Sequence, residues 1–250
     1  MTAIMTSPLH LSRVRLKTLR GEALASIAPL LMPADPDKRP AHAHRVLWLL
    51  FQDIADAERD FLWRDEGDGR FMLLSHRPPT DPKGLFDIQS KTFAPELEAG
   101  DRLAFVLRAN PVIRLDQQET RTTAKGRVTA KRKKVDVVMH ALRTVPATDW
   151  ETRTGRAFER DRIAIEATTG WLATEGRNAG FRLIEPIAAD GYTQVGIERR
   201  RGRPAGFSSI DISGVIEVGD PPAFLEKLAR GFGSAKAFGC GLMLIRRAPS

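Results

Sequence analysis

One histidine stands where proton transfer could be useful. His44 follows a proline-rich stretch that ends at Pro40 and opens an apolar run, with His42 two residues before it and Arg45 directly after it. An imidazole has an ordinary pKa of about 6.5, so it can take or give a proton near neutral pH. A helix that begins between Ala41 and His44 would direct free N–H groups and its positive dipole end toward an anion. The pattern therefore predicts proton transfer at a phosphodiester; the alternative is a capping or surface histidine.

A glycine-rich segment offers a second place for chemistry. Four glycines fall within residues 231–241, around a serine and a lysine and without any acid: Gly231, Gly233, Gly239 and Gly241, with Ser234 and Lys236. Glycine lets backbone N–H groups approach a phosphate closely. The segment does not end in Gly-Lys-Ser/Thr and does not follow a strand, so neither a nucleotide-hydrolase loop nor a dinucleotide fold fits. Either it binds the phosphate of a polymer, or it is a helix-to-strand connection with glycine at the helix C-cap.

Two basic runs suggest a polyanionic partner. The chain has a net charge of +8, and its cations are concentrated in two segments without acids. These segments contain Arg121, Lys125, Arg127, Lys131, Arg132, Lys133 and Lys134, and then Arg199, Arg200, Arg201 and Arg203. Arginine clusters can bind phosphates or guanine edges, which favours RNA or DNA. Taken singly, each run could instead be a solvated charged surface.

Several classes of chemistry find no support in the sequence. No Asp, Glu or His cluster has the spacing of metal ligands, and no Gly-x-Ser-x-Gly elbow occurs, so we expect no metal and no cofactor. The one cysteine, Cys240, excludes an internal disulfide framework and indicates a reducing compartment, which we expect to be the cytoplasm. The longest apolar run, residues 46–51, is far too short to span a bilayer, and basic residues interrupt the N-terminal region where a signal peptide would lie.

The elements that must position these residues form two similar units. The first reads as a strand at residues 9–17, a buried helix after Pro40, two strands joined by a turn at residues 65–69, a short helix and a strand at 89–93. That order is the ferredoxin-like arrangement. We therefore predict an α+β fold of two tandem ferredoxin-like (βαββαβ) domains, an N-terminal one at 1–98 and a C-terminal one at 99–250.

The second unit begins with a strand at 102–108, and its basic run at 120–134 is predicted to be polar turn. Further elements are predicted as a helix opening within 135–142, a helix over 150–171 that ends at Gly170, short strands at 181–184 and 194–197, a turn at 199–204, a long strand at 209–218, and a closing helix. The glycine-rich segment and a final strand follow this helix.

Four motifs, in order along nearly the whole chain, resemble the CasE family of CRISPR repeat-cleaving endoribonucleases from the type I-E Cascade complex. They are AHRVLWLLFQD at 43–53, DFLWR at 60–64, FVLRANP at 105–111 and GFGSAKAFGCGL at 231–242. The last is the most specific, because a glycine loop of this form is typical of the repeat-associated (RAMP) superfamily.

The resemblance implies two ferredoxin-like domains with RNA held across a basic face between them. It implies metal-free cleavage at the base of the repeat stem-loop, by attack of the 2′-hydroxyl on the adjacent phosphate, leaving a 2′,3′-cyclic phosphate. It further implies that the enzyme, expected to be a monomer when isolated, stays on its product with other Cascade subunits. His44 matches the catalytic histidine, the glycine loop the segment beside it, and residues 199–203 the RNA-binding hairpin.

One position departs from the family pattern. Several relatives carry a tyrosine three residues before the histidine, where this chain has Ala41. Either another group, His42, Lys38 or Arg39, assists His44, or the histidine acts with arginine charge. We hypothesise that Arg200 and Arg201 neutralise the developing phosphorane charge. Two rivals remain open: a non-catalytic RNA-binding RAMP subunit of a CRISPR complex, and a DNA-binding regulator, which would need a recognition helix that the sequence does not suggest.

Overall fold

The computed structural model describes residues 8–17, 39–52, 58–122, 128–144, 153–197 and 205–249, and of residues 117–122, 128–132, 153–158 and 205 the backbone alone. The described elements are, in chain order, β1 (Leu9–Leu16), α1 (Arg39–Leu47), a 3₁₀ helix (Trp48–Phe51), β2 (Phe61–Gly67), β3 (Arg70–Ser75), β4 (Phe86–Phe93), β5 (Arg102–Ala109), β6 (Val112–Thr122), β7 (Val128–Asp136), α2 (Val137–Thr144), α3 (Arg153–Asn178), β8 (Phe181–Ile197), β9 (Ala205–Val218), α4 (Pro221–Arg230), a 3₁₀ turn (Lys236–Phe238) and β10 (Met243–Arg247).

The first four strands form one antiparallel sheet in the order β2-β3-β1-β4. Helix α1 covers one face of it, because Ala43, Val46, Leu47 and Leu50 recur at intervals of three and four residues and are all buried. A helix after the first strand and this strand order define the ferredoxin-like arrangement.

The two connections after β2 show how local sequence decides the backbone. The hairpin predicted with a turn at 65–69 is confirmed, and its turn is shorter: strands β2 and β3 meet at Asp68-Gly69, both with positive φ. The short helix predicted between β3 and β4 is wrong. Residues 76–85 contain three prolines and form turns, and the Asp81 carboxylate instead accepts hydrogen bonds from the backbone N–H groups of Leu85 and Phe86.

The second sheet has the order β10-β5-β9-β8, the same arrangement as the first sheet, with α2 and α3 following β5 and α4 following β9. The prediction of two tandem ferredoxin-like units is confirmed. Two boundaries were wrong: α3 continues through Gly170 to Asn178, and the two short strands predicted at 181–184 and 194–197 are one long strand, β8, with register shifts in its pairing to β9. An exposed glycine inside a long helix is tolerated when the rest of the helix packs.

A two-stranded hairpin is inserted into the second unit between β5 and α2. Strands β6 and β7 pair with each other from Val112↔Asp136 to Thr122↔Val128. Among the described residues, the run at 120–134, predicted as a basic turn, is therefore strand, and Lys131, Arg132, Lys133 and Lys134 lie along β7. The expected helix after it is confirmed as α2, whose N-terminus is capped by Asp136 accepting from the Met139 N–H at 2.7 Å.

The two units share an apolar contact. Alternation along β2 sends Phe61 and Trp63 to the face covered by α1 and Leu62 to the opposite face. There Leu62 and Leu74 pack with Leu242 of the second unit. The predicted domain boundary at residue 98 stays a prediction, and the two sheets lie on either side of it. None of the described helices has both the length and the apolar character needed to cross a bilayer.

Candidate active site

His44 lies on α1, but not where the sequence suggested. The helix begins at Arg39, so His44 falls in its last turn and not at its N-terminus. We predicted that free N–H groups and the positive end of the helix dipole would favour an anion beside His44. That prediction is wrong, because both effects are confined to the first turn of a helix. What positions His44 is instead the packing of α1 on the first sheet.

The His44 ring is half-buried between two aromatic side chains. Its centroid lies 6.2 Å from the Trp48 ring and 6.2 Å from the Phe61 ring. Trp48 is one helical turn away, and its Nε1–H donates a hydrogen bond to Nε2 of His44 at 3.2 Å. An imidazole nitrogen that accepts from an N–H carries no proton, so this contact holds His44 as the neutral ring with its proton on Nδ1.

Electrostatics favour the same neutral state. Burial lowers the pKa of His44 below its ordinary value, and the positive charge of Arg59 lowers it further. The imidazole is thus unprotonated at neutral pH, which is the state a general base requires.

Arg59 is the cation next to this histidine. It lies two residues before Phe61, whose ring contacts His44. Its guanidinium is half-buried, and Nη1 is buried with no hydrogen-bond partner among the described residues. Burial also lowers the pKa of Arg59. A buried N–H without a partner is costly, so this group is suited to an anionic ligand.

The glycine-rich segment owes its composition to its backbone path. Gly231, Gly233, Gly239 and Gly241 all have positive φ, between 66° and 94°. Gly231 is the C-cap of α4, and its N–H donates to the carbonyl of Lys227. This agrees with the second of the two sequence-based alternatives, a helix-to-strand connection with glycine at the helix C-cap. The N–H groups of residues 231, 232, 234, 238 and 241 all donate to protein carbonyls. These five amides hold the loop in shape and do not cradle a phosphate.

The loop is fixed to the end of β5. The Ser234 N–H donates to the Asn110 carbonyl at 3.1 Å, and the Gly241 N–H donates to the Arg108 carbonyl at 2.7 Å. Side chains lock this strand end, since Asn110 Nδ2 donates to the Ser208 carbonyl at 2.7 Å. The RANP motif at 108–111 and the glycine loop are therefore two parts of one structure.

From β5 the loop wraps around β2, the edge strand of the first sheet. Gly231 lies against Leu62 on one face of this strand, and Gly239 lies against the Trp63 ring on the other, where a Cβ would come within 3.1 Å. The 3₁₀ turn that contains Lys236 contacts α1. The second unit thus brings a lysine to the helix that carries His44.

Lys236 belongs to the same group of charges. Its Nζ donates to the Arg230 carbonyl at 2.5 Å. Burial lowers the pKa of Lys236, and Lys227 and Arg59 lower it further, so Arg59 acts on both His44 and Lys236. One imidazole and two cations, drawn from both units, therefore share a half-buried region.

The other predicted site residues are distributed differently. Lys133 and Lys134 are exposed on β7, and Lys134 Nζ lies 3.4 Å from the Ser234 hydroxyl of the glycine loop. For Lys131 and Arg132 the structure describes only the backbone, in β7. The predictions for Arg199, Arg200, Arg201 and Arg203 lie outside the described residues, in the segment that joins β8 to β9.

The described residues offer little support for a metal site or for a cysteine nucleophile. Within the described ranges, no three His, Cys, Asp or Glu side chains are grouped closely enough to hold a metal ion. Burial raises the pKa of Cys240 to about 12, so this thiol stays protonated and is no nucleophile at neutral pH.

Sequence reasoning missed Arg59 and Trp48. Arg59 stands between Glu58 and Asp60, which is typical of a solvated charged loop, and nothing in its spacing points to His44. Trp48 was counted only among the apolar residues of a buried helix. Its position four residues after His44 on a helix was the available signal, because side chains at this spacing meet.

The sequence is similar to proteins of a known family. A family model described as "CRISPR associated protein" matches residues 9–247. The chain is 28% identical over 206 residues to the CRISPR system Cascade subunit CasE of Escherichia coli, covering 80% of this chain and 88% of that protein. It is 31% identical over 166 residues to the CRISPR-associated endoribonuclease Cse3 of Thermus thermophilus, covering 62% and 60% of the two chains.

A solved structure shares the fold as well. Thermus thermophilus Cse3 bound to an RNA representing a pre-cleavage complex superposes with a TM-score of 0.56 at 25% identity, over 97% of this chain and all of that one. The family match spans both sheets, His44 and the glycine loop. The chain therefore belongs to the CRISPR associated protein family, as a CasE-family endoribonuclease of the type I-E systems.

Proposed function

We propose that this protein binds the stem-loop of a CRISPR repeat and cuts the precursor RNA without a metal ion, leaving a 2′,3′-cyclic phosphate and a 5′-hydroxyl. The observation that carries the proposal is the neutral, half-buried imidazole of His44 beside Arg59, a cation that also acts on Lys236 of the second unit. The CasE and Cse3 relatives, named as a Cascade subunit and an endoribonuclease, support the substrate class. We further propose that the protein remains on its product within Cascade, in the cytoplasm.

His44 acts as the general base in this scheme. Its Nε2 lone pair accepts from Trp48 when no RNA is bound, and a 2′-hydroxyl that replaces the indole N–H donates to the same lone pair. Because the pKa of His44 lies below its ordinary value, most molecules carry the free base at neutral pH.

The atoms and charges of the step balance without a cofactor. As Nε2 takes the proton, the 2′-oxygen forms a bond to phosphorus and the bond from phosphorus to the 5′-oxygen breaks. The imidazolium that results then gives its proton to the departing 5′-oxygen, which regenerates the neutral ring. One histidine can thus serve both proton transfers in a chain that has Ala41 where relatives place a tyrosine.

Arg59 and Lys236 stabilise the charge that develops on the phosphoryl oxygens. The unpaired Nη1 of Arg59 is a donor already removed from water, so little reorganisation is needed when the anion arrives. Arg200 and Arg201 are proposed to add to this charge. Lys131, Arg132, Lys133 and Lys134 on β7, with Arg199 and Arg203, are proposed to bind the backbone of the repeat.

The test is single-turnover cleavage of the host's own repeat RNA in EDTA, followed by analysis of the fragment ends. We expect cleavage in EDTA, a cyclic phosphate and a 5′-hydroxyl. In His44→Ala the rate falls by about 10²–10⁴-fold while RNA affinity stays within about twofold. His76→Ala, in the connection between β3 and β4, removes an exposed imidazole outside α1 and is the matched control, which keeps its rate. Loss of cleavage in EDTA would contradict the metal-free scheme, and an unchanged rate in His44→Ala would contradict His44 as the base. A wild-type protein that binds the repeat RNA but never cuts it would be the non-catalytic RNA-binding subunit.

A further inference from the structure

A pocket of about 680 Å³ lies beside the glycine loop, and neither His44 nor any other residue of α1 lines it. It lies where the base of the β6–β7 hairpin, strands β8 and β9 and the loop residue Ser234 meet. Its volume falls in the range of small-ligand sites, about 300–1,000 Å³. None of its lining residues takes part in the proton transfers proposed above.

The floor of this pocket is a fixed polar network. The Asp136 carboxylate accepts hydrogen bonds from the Tyr192 hydroxyl, at 2.9 Å, and from the Ser208 hydroxyl. Asn110 Nδ2 donates to the Ser208 carbonyl at 2.7 Å. Since Asp136 also caps α2, the network is held in place before any ligand arrives. Such preorganised polar groups reduce the ordering cost of binding.

Tyr192 is held as a neutral phenol. Burial, and then the negative charge of Asp136, raise the pKa of Tyr192 to about 12. Its hydroxyl donates to Asp136, and the Ser208 and Gln194 side chains hydrogen-bond to its oxygen. Gln194, two residues along β8 and exposed, is oriented by this contact and keeps its amide oxygen and a second N–H for a ligand at the wall.

The wall also contains an aromatic ring and a cation. Phe207 lines the pocket, and its half-buried ring stacks on Phe238 of the glycine loop, with centroids 5.2 Å apart and planes 24° from parallel. A ring supported on one face presents its other face to a planar ligand. Lys134 stands at the rim beside Ser234.

We propose that this pocket holds one unpaired nucleoside of the repeat RNA, with its base stacked on Phe207 and its edge read by Gln194, whose amide Tyr192 holds in place, and with the adjoining phosphate at Lys134. Unpaired RNA bases are recognised in this way, by stacking on aromatic rings and by hydrogen bonds to their edges. The proposal rests on the proposed function for its RNA substrate. The glycine loop joins the two sites, since Ser234 lines this pocket, Phe238 stacks on Phe207, and the 3₁₀ turn that contains Lys236 contacts α1.

The test is an abasic scan. Each unpaired position of the repeat RNA is replaced in turn by an abasic residue, with 2′-deoxy substitution at the cleavage site to prevent cutting, and affinity is measured at fixed salt. We expect one position at which wild-type protein loses about tenfold in affinity, as stacking of one base predicts. In Phe207→Leu the same substitution costs less than about twofold.

A second variant, Gln194→Ala, tests the same proposal if Phe207→Leu is unstable. Gln194→Ala removes an exposed amide, and we expect it to bind the four bases at the sensitive position with nearly equal affinity, where wild type prefers one. Ile165→Ala, on the exposed side of α3, is the control and behaves as wild type. The proposal is overturned if no position is sensitive, or if the abasic loss is the same in wild type and Phe207→Leu. Cleavage of unmodified repeat RNA by the wild-type protein is measured separately. Its absence would contradict the proposed function, whereas the pocket is tested by affinity alone.

Discussion

The two ferredoxin-like units have the same strand order but complete it differently. The second has helices after both its first and its third strand, whereas the first has α1 and then a proline-rich turn between β3 and β4. The second unit also sends its glycine loop around β2, the edge strand of the first. The difference teaches that the first unit supplies the base and the second supplies the loop that completes its surroundings, so neither unit holds the candidate site alone.

The largest effect is expected where the loop meets β5. Gly233 has φ of +66°, and a Cβ there would come within 2.5 Å of the Asn110 carbonyl oxygen. Gly84 has φ of +68° with open space around it, so it is a matched control. We expect Gly84→Ala to cost about 1 kcal/mol from backbone strain alone and Gly233→Ala about 3 kcal/mol or more. Urea unfolding measures both.

Equal losses in these two variants would contradict the close approach of loop and strand. A Gly233→Ala protein that unfolds like wild type would mean that the loop can leave β5 without cost, and the composite site would lose its physical basis.

A smaller effect is expected on the cleavage rate when the positive charge of Lys236 is removed. In Lys236→Ala the single-turnover cleavage rate should fall by about 10–100-fold, because one donor to the developing phosphoryl charge is removed. Lys83→Ala, in the exposed β3–β4 connection, removes the same charge elsewhere and should leave the rate unchanged. If both variants slow cleavage equally, Lys236 contributes only general attraction to RNA.

The smallest effect is expected at the ionic contact between the units. Asp211 on β9 accepts from Arg108 of its own sheet at 2.7 Å and lies 3.3 Å from Arg64 of the first sheet. Because the Asp211 side chain is 37% exposed, Asp211→Asn should cost only about 1 kcal/mol. Glu226→Gln, which breaks an exposed pair with Arg230 on α4, should cost less than about 0.5 kcal/mol. A reversed order in thermal unfolding would show that Asp211 does not link the units.

Much of this architecture could be predicted because its signals are local. The Asp68-Gly69 turn, the apolar spacing from Ala43 to Leu50 and the alternation along β9 each depend on neighbours in sequence. The wrong elements have long-range causes. Strand β8 runs from Phe181 to Ile197 because β9 pairs with it at both ends and between, across two register shifts, although its own sequence suggests two short strands.

Only part of the candidate site could be predicted, because some of its residues have local signals and others do not. His44 and the glycines are recognisable by type and order in the chain. Arg59 and the Asp136–Tyr192 pair depend on which side chains the fold brings together, and neither pattern is visible in spacing. The position of His44 within α1 was missed because Arg39 and Pro40 extend the helix backwards, proline being well tolerated in a first turn.

The pH dependence of single-turnover cleavage tests the account most directly. If neutral His44 is the base, the rate rises with pH to a plateau whose half-point lies below 6.5, since burial and Arg59 both lower the pKa of His44. In Arg59→Met the half-point moves upward yet stays below 6.5, because burial, the larger cause, remains. A rate that falls as pH rises from 5 to 8, or a half-point unmoved in Arg59→Met, would contradict His44 as a base beside Arg59.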